Sequence, residues 1–388
     1  MRIFFLHGDP IPSPYANGVS VMRLCESFCT AGHDVTLYAY PGCIEVDDVY
    51  EYYGVRHRFP IRFITAPMPQ RYPQLEKWAW AFRVRRDIRR HGVPDLMYGR
   101  NSRALLACST LGPFVFEAHT VSGSRAELLT QRRLFASRNS AYVVTITEAL
   151  KQDLLKAFPR LSNDHVVVAP SGHDPADGSG PATELPGRDH ALKIGYVGHL
   201  YRGRGIDIIS DVARLLPEHD FHVVGGTMRD LAHWTAQDHP GNLYFHGHQP
   251  PAALPSYYAR FDLMLAPYQR RIGVFAGNAN TAPWLSPNKV FEYMAHGKPM
   301  IVSDIPVLRE VLVDRQNCLL CPPEDRQAWK AAITELVGDD GLRKALADEA
   351  KRQLMTRYTW RHRVDRVLLP TRLPHDPSDP SRRREDAG

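Results

Sequence analysis

No stretch of this 388-residue chain is apolar for anything like the roughly 18 residues that a membrane-spanning helix requires. The start offers only Ile3-Phe4-Phe5-Leu6 after Met1-Arg2, too little for the apolar core of a signal peptide, so a cytoplasmic protein is expected. Cysteine is sparse. Cys25, Cys29, Cys43 and Cys108 are scattered, and Cys318 and Cys321 form a CxxC with no second pair to complete four zinc ligands. No His-x3-His accompanied by a carboxylate occurs, so no metal and no resident cofactor are expected. No glycine fingerprint follows the first apolar run, which counts against nicotinamide binding. No Ser/His/Asp or Cys/His set stands out. The net charge of +6 is mild and does not call for nucleic acid.

What is present is an ordinary globular composition, 44% hydrophobic and 23% charged, long enough for two cores. Short apolar runs alternate with helical periodicity. Ile3–Leu6, Val35–Tyr38, Pro94–Tyr98, Phe114–His119, Ala141–Ile146 and His165–Pro170 read as strands of a first half. A breaker-rich stretch follows, and the pattern restarts at Lys193–Gly198, then Phe221–Val224, Leu243–Phe245, Leu263–Leu265 and Pro299–Val302. Strand–helix alternation of this kind predicts parallel sheets covered by helices, with ligands at the carboxyl ends of the strands. The division expected is 1–178 for a first domain, 179–190 for a linker, 191–355 for a second domain, 356–370 for a returning helix, and 371–388 for a disordered tail.

The most informative stretch is Ser286-Pro287-Asn288-Lys289-Val290-Phe291-Glu292-Tyr293-Met294-Ala295-His296-Gly297-Lys298-Pro299. Pro287 suits the first turn of a helix whose apolar face is Val290, Phe291, Met294 and Ala295, and Gly297 ends it. The free N–H groups of Ser286 to Lys289, together with the Lys289 ammonium, would suit a phosphate. Glu292, one turn in, could accept hydrogen bonds from vicinal hydroxyls such as those of a ribose.

This stretch resembles the nucleotide-sugar motif of family 4 glycosyltransferases, in the version Ser-Pro-x-Lys-x-x-Glu-Tyr-Met-Ala-x-Gly-x-Pro. The resemblance implies the GT-B fold: two Rossmann-like, doubly wound domains facing a cleft, with a C-terminal helix crossing back to the first. It implies Glu292 on the donor ribose. The family's first Glu would fall at Trp284, a departure that bears on the donor sugar. Gly198–Asp207 resembles the loop that grips the diphosphate, with His199 for the family's Arg and Arg204 for its Lys. Asn17-Gly18-Val19 resembles the glycine loop facing the donor phosphates. Phe116-Glu117-Ala118-His119-Thr120 resembles a segment whose His contacts the donor sugar. By this resemblance His119 and Glu292 stand nearest the chemistry, Gly18, His199, Arg204, Ser286, Pro287, Asn288 and Lys289 bind donor, and Asp9, Tyr15 and Asn17 face the acceptor.

The activity implied is retaining transfer from a nucleoside-diphosphate sugar, UDP being the commoner choice, to a glycan, lipid-linked or small-molecule hydroxyl. No metal is implied, since enzymes of this fold stabilise the leaving diphosphate with cations and helix dipoles. A nucleotide-sugar epimerase of the same fold, or a non-catalytic scaffold of a glycan-assembly complex, are the alternatives. Residues 56–103 hold twelve Lys/Arg against Glu76, Asp87 and Asp95, a surplus greater than the whole chain's +6. Within them, residues 75–90 read as a helix with Trp80, Val84 and Ile88 on its core seam and Trp78 and Phe82 beside arginines. This is either a patch for an anionic membrane, which would place the protein at the inner face of the membrane, or a partly buried helix with a solvated basic face.

Overall fold

The structure, a computed structural model of the chain, describes residues 1–66, 73–176, 183–273 and 280–372. Residues 373–388, and with them most of the expected tail, lie outside the described residues, as do 177–182, the last two residues of the expected first domain and the first four of the expected linker.

The first sheet contains β1 (Arg2–Ile11), β2 (Asp34–Pro41), β3 (Ile61–Phe63), β4 (Leu96–Gly99), β5 (Phe114–Ala118), β6 (Ser140–Thr145) and β7 (Val166–Val168). Their order is β3-β2-β1-β4-β5-β6-β7, and every pair is parallel. The second sheet contains β8 (Lys193–Val197), β9 (Asp220–Val224), β10 (Leu243–Gly247), β11 (Leu263–Ala266), β12 (Met300–Ser303) and β13 (Leu319–Cys321), ordered β10-β9-β8-β11-β12-β13 and again all parallel. Both faces of each sheet are covered by helices. Central strands are therefore continuous apolar runs such as Ile3-Phe4-Phe5-Leu6, all essentially inaccessible to water. These are two doubly wound sheets, as the alternation implied.

Several local expectations meet the structure directly. Cys318 and Cys321 sit at β13, both buried and unpaired, and burial pushes the Cys321 thiol up to about 12. The CxxC is packing. The helix Pro73–His91 buries Trp80, Val84 and Ile88 as the seam predicts, and the Trp80 indole donates to the Ile64 carbonyl at 2.9 Å. Trp78 and Phe82 stack with centroids 6.0 Å apart, and Phe82 is 58% exposed. After the described gap, the Thr183 N–H donates to the Ser256 carbonyl. Arg188 then pairs with buried Asp220 at 2.8 Å, so this end of the connection is fastened to the second domain.

The last helix among the described residues, Trp360–Arg372, follows a π-type turn at Leu354–Tyr358 and lies against the first domain. Trp360, Val364, Val367 and Leu368 join Ile3, Phe5, Leu24 and Phe28 in one core.

Candidate active site in the interdomain cleft

In each sheet the strand order reverses beside the first strand, at β1/β4 and at β8/β11. Side chains leaving the carboxyl ends of those strands line the crevice where open α/β sheets bind ligands. Here the two crevices face each other. Between them lies a cavity of about 290 Å³, lined from the first domain by Asn17, Arg100 and His119 and from the second by His199, Arg204, Lys289 and Glu292.

The second domain supplies the charge. The helix Asn288–Ala295 buries Val290, Phe291, Met294 and Ala295, which fixes its N-terminus toward the cleft. Pro287 is its N-cap rather than its first turn. Lys289 is 7% exposed, and among the described residues its Nζ has no hydrogen-bond partner. That Nζ lies 3.6 Å from the centroid of the Tyr196 ring. Burial and the neighbouring Arg204 cation hold its pKa well below the ordinary lysine value. The Arg204 guanidinium sits 4.7 Å from the Tyr201 ring and 5.6 Å from the Tyr268 ring and donates to the Tyr201 hydroxyl at 2.5 Å. Its buried Nε has no partner among the described residues. Lys289 and Arg204 are thus largely enclosed cations with no ion pair to a carboxylate among the described residues, an arrangement that an anion would relieve.

His199 stacks on Tyr201, and burial with the Arg204 and Lys289 charges pushes its pKa down to about 4. It stands near neutral pH as a hydrogen-bonding ring and not as the cation its place in the loop suggests. Glu292 accepts the Tyr258 hydroxyl on Oε2 at 2.5 Å. Its Oε1 has no partner among the described residues, so one oxygen is left for a ligand. Gly198 and Gly225 let the loops after β8 and β9 touch. Gly225 has φ +124°, and a Cβ there would come within 2.0 Å of the Gly198 carbonyl oxygen.

The remaining motif side chains are used in joining the domains. Ser286 Oγ accepts the Ser171 N–H at 2.9 Å, and Asn288 Nδ2 donates to Ser20 Oγ of the first domain at 2.8 Å. Asn17 lines the cavity and donates to Asp9 at 3.1 Å, which places Asp9 behind it. Tyr15 lines an adjoining groove of about 1170 Å³ that shares Pro14, His199, Gly226 and His248 with the cavity.

Gly18 departs from expectation. It is buried, and a Cβ there would meet the Tyr53 hydroxyl at 2.6 Å and Ser13 Oγ at 3.1 Å. Its neighbours Asn17, Val19 and Ser20 line the cavity, while Gly18 answers to close packing inside the first domain. His119 follows β5, reaches the cavity and binds Glu117 at 2.5 Å. The motifs do not mark Arg100, Tyr258 or Tyr268, and they give Glu117 only as a neighbour of His119. Tyr258 reaches Glu292 from within the helix Leu254–Arg260, and Tyr268 stands two residues past the carboxyl end of β11, where open sheets of this kind place ligand contacts.

Trp284 lies in the turn Ala282–Trp284, packs against the first domain's core and donates from Nε1 to Asp153 at 3.0 Å. Glu310 of the second domain accepts the N–H groups of Glu148 and Ala149 at 2.7 and 2.9 Å, capping the helix Glu148–Ala157 from across the cleft. Trp284 thus belongs to a domain-joining contact. Trp284→Phe keeps the ring and removes the donor, so it should cost about 1 kcal/mol in denaturant unfolding and shift nucleotide affinity less than twofold. A tenfold loss of affinity by calorimetry would instead put Trp284 on the donor.

Two parallel doubly wound domains closing on a cation-lined cleft define the GT-B class of glycosyltransferase folds. The sequence comparisons agree, one domain at a time. Residues 18–177 match the family described as Glycosyltransferase Family 4, and residues 191–339 match Glycosyl transferases group 1. Together they place the chain in the GT-B glycosyltransferase superfamily. A D-inositol 3-phosphate glycosyltransferase of Corynebacterium urealyticum is 29% identical over 141 residues, covering 36% of this chain and 30% of that protein. An uncharacterized glycosyltransferase of Methanocaldococcus jannaschii is 23% identical over 239 residues, 57% of each chain. The matches thus span less than two thirds of these curated relatives. Among solved structures, HepE of Anabaena in complex with UDP superposes with TM-score 0.67 at 15% identity, covering 95% of this chain and all of that one. Sucrose-phosphate synthase of Thermosynechococcus elongatus gives 0.71 at 15%, covering 96% and 99%.

Proposed function

We propose that the protein is a retaining glycosyltransferase that takes a sugar from a nucleoside-diphosphate donor, UDP being preferred, and places it on an acceptor hydroxyl in glycan or glycoconjugate synthesis. The observation that carries this reading is the convergence of Lys289, Arg204 and Glu292 on one cavity beside His119. The cations would meet the diphosphate and Glu292 the ribose. The HepE structures with UDP and with UDP-glucose support a uridine donor in this fold.

In the proposed step the bond from the anomeric carbon to the β-phosphate oxygen breaks while the acceptor oxygen bonds that carbon from the same face. The acceptor proton passes to the departing phosphate oxygen. Lys289 and Arg204 stabilise the charge that develops there, so no metal is needed in the scheme. The acceptor would enter by the adjoining groove, whose walls carry Tyr15, Tyr201 and Trp234 with Arg202, Arg229, Arg270 and Arg271. Those arginines outnumber the carboxylates of Asp207, Asp230 and Glu324 on the same walls, and the surplus positive charge suits an anionic acceptor. The name of the Corynebacterium relative, with its inositol 3-phosphate, is consistent with that chemistry.

No helix among the described residues is long and apolar enough to cross a membrane. Leu75, Trp78 and Phe82 follow helical spacing along one side of the basic helix. Leu75 is 54% and Phe82 58% exposed, with Arg86, Arg89 and Arg90 also exposed. This face suits the surface of an anionic bilayer and thereby a lipid-linked acceptor.

The test is nucleoside-diphosphate release from a panel of donors, with and without lipid extract, alongside sedimentation with phosphatidylglycerol vesicles. Acceptor-dependent release from one donor is expected, as is salt-sensitive vesicle binding that Phe82→Glu weakens at least fivefold. Absence of release from every donor would sink the transferase reading, and unchanged sedimentation of the variant would sink the membrane one.

A further inference from the structure

The first domain holds a charged cluster that the scheme above leaves unused. Glu117, the penultimate residue of β5, is 1% exposed, yet it is met by four donors. Arg100 reaches its Oε1 from Nη2 at 2.8 Å and from Nε at 2.9 Å. His119 Nε2 lies 2.5 Å from the same oxygen. Arg363 Nη2 is 2.9 Å from Oε2, which also receives the Tyr98 hydroxyl. Arg363 belongs to the helix Trp360–Arg372 and is itself 3% exposed. Its Nη1 donates to the carbonyls of Ala169 and Pro170, the latter at 2.6 Å, just past the end of β7.

Two guanidinium groups against one carboxylate hold Glu117 well below the usual carboxylate range despite its burial. They also leave the cluster with a surplus positive charge, and that surplus opposes a third cation. His119, flanked by Arg100, Arg363 and the buried His7, is pushed down to about 4 by burial and by Arg100. A neutral imidazole has one N–H and one lone pair. A lone pair pointed at a carboxylate oxygen 2.5 Å away would be repelled, so the nitrogen that faces Glu117 carries the proton.

We propose that Glu117, clamped by Arg100 and Arg363, is a positioning residue that fixes His119 as the Nε2–H tautomer and presents its Nδ1 as an acceptor to a hydroxyl of the bound donor sugar. Arg363, from the far end of the chain, is a second positioning residue of the cleft. The sugar hydroxyl rests on the transferase reading; the tautomer does not.

Histidine-selective ¹⁵N labelling and a long-range ¹H–¹⁵N spectrum at pH 7 test this, with His119→Asn assigning the signal. The wild type should show a neutral His119 protonated on Nε2. Arg363→Met should give a mixed tautomer and lower kcat at least tenfold, with donor KM within threefold. Arg363→Lys should recover part of both losses. A merely structural role would lower the melting temperature of Arg363→Met and leave its tautomer and kcat alone. An Nδ1–H tautomer or an imidazolium in the wild type would overturn the proposal, as would a Met variant that keeps both tautomer and kcat. If the Met variant fails to fold, the wild-type spectrum and the Lys variant decide. A wild type with the expected tautomer and no turnover would indict the transferase reading alone.

Discussion

Glu292→Ala should weaken binding of a nucleoside diphosphate by about 10–100-fold, the range that losing a charge-assisted hydrogen bond or two spans. Glu292 keeps Oε1 uncommitted in the cavity while Tyr258 anchors Oε2. Removing the carboxylate deletes the acceptor and also strands the buried Tyr258 hydroxyl. Tyr258→Phe leaves the carboxylate in place and frees its orientation, so it should cost only about threefold. Calorimetric titration with UDP and with UMP separates the effects, because a ribose contact is lost equally for both. Unchanged affinity in the alanine variant would remove Glu292 from the ribose.

Lys289→Met should weaken diphosphate binding by a similar factor and, unlike Glu292→Ala, should spare UMP more than UDP. The same substitution should raise the melting temperature of the free protein, since a buried amine with no hydrogen-bond partner among the described residues is replaced by an apolar chain of like shape. The pH dependence follows from the depressed pKa of Lys289 in the free protein. An anionic diphosphate beside the amine raises that pKa on binding. Below the free-state pKa the lysine is charged with or without ligand, and affinity is flat. Above it, binding takes up a proton, and affinity falls as pH rises toward the bound-state pKa. Titrations in two buffers of different ionisation enthalpy should show proton uptake in the wild type and none from this group in the variant. Equal uptake in both would refute the assignment.

Much of this was legible in the residues. Strand positions and both sheets follow from apolar runs of four to six residues between breakers, since strands buried on both faces admit little else. The motif helix was readable because Pro287, Gly297 and the spacing of Val290, Phe291 and Met294 each mark the same element. The side chains that tune the site were harder. Gly18 reads as a phosphate-facing glycine, and only the position of Tyr53, 35 residues away, shows that the space is filled from inside the domain. Trp284 reads as a missing carboxylate, and its role depends on Asp153 from the other domain. His199 looks cationic until Arg204 and Lys289 are seen to crowd it. Arg363 sits 246 residues from Glu117 in the chain, and no local pattern links them. Local periodicity speaks for secondary structure; the ionisation and orientation of a site depend on contacts made across it.

The return of the last helix has a consequence for how the protein is made. The first domain's core includes Trp360, Val364, Val367 and Leu368, so its amino-terminal 170 residues leave the ribosome with a gap in their core. They must wait for residues 360–368 before that gap is filled. A fragment of residues 1–178 should therefore be prone to aggregation, whereas the same fragment followed by a short linker and residues 354–372 should fold.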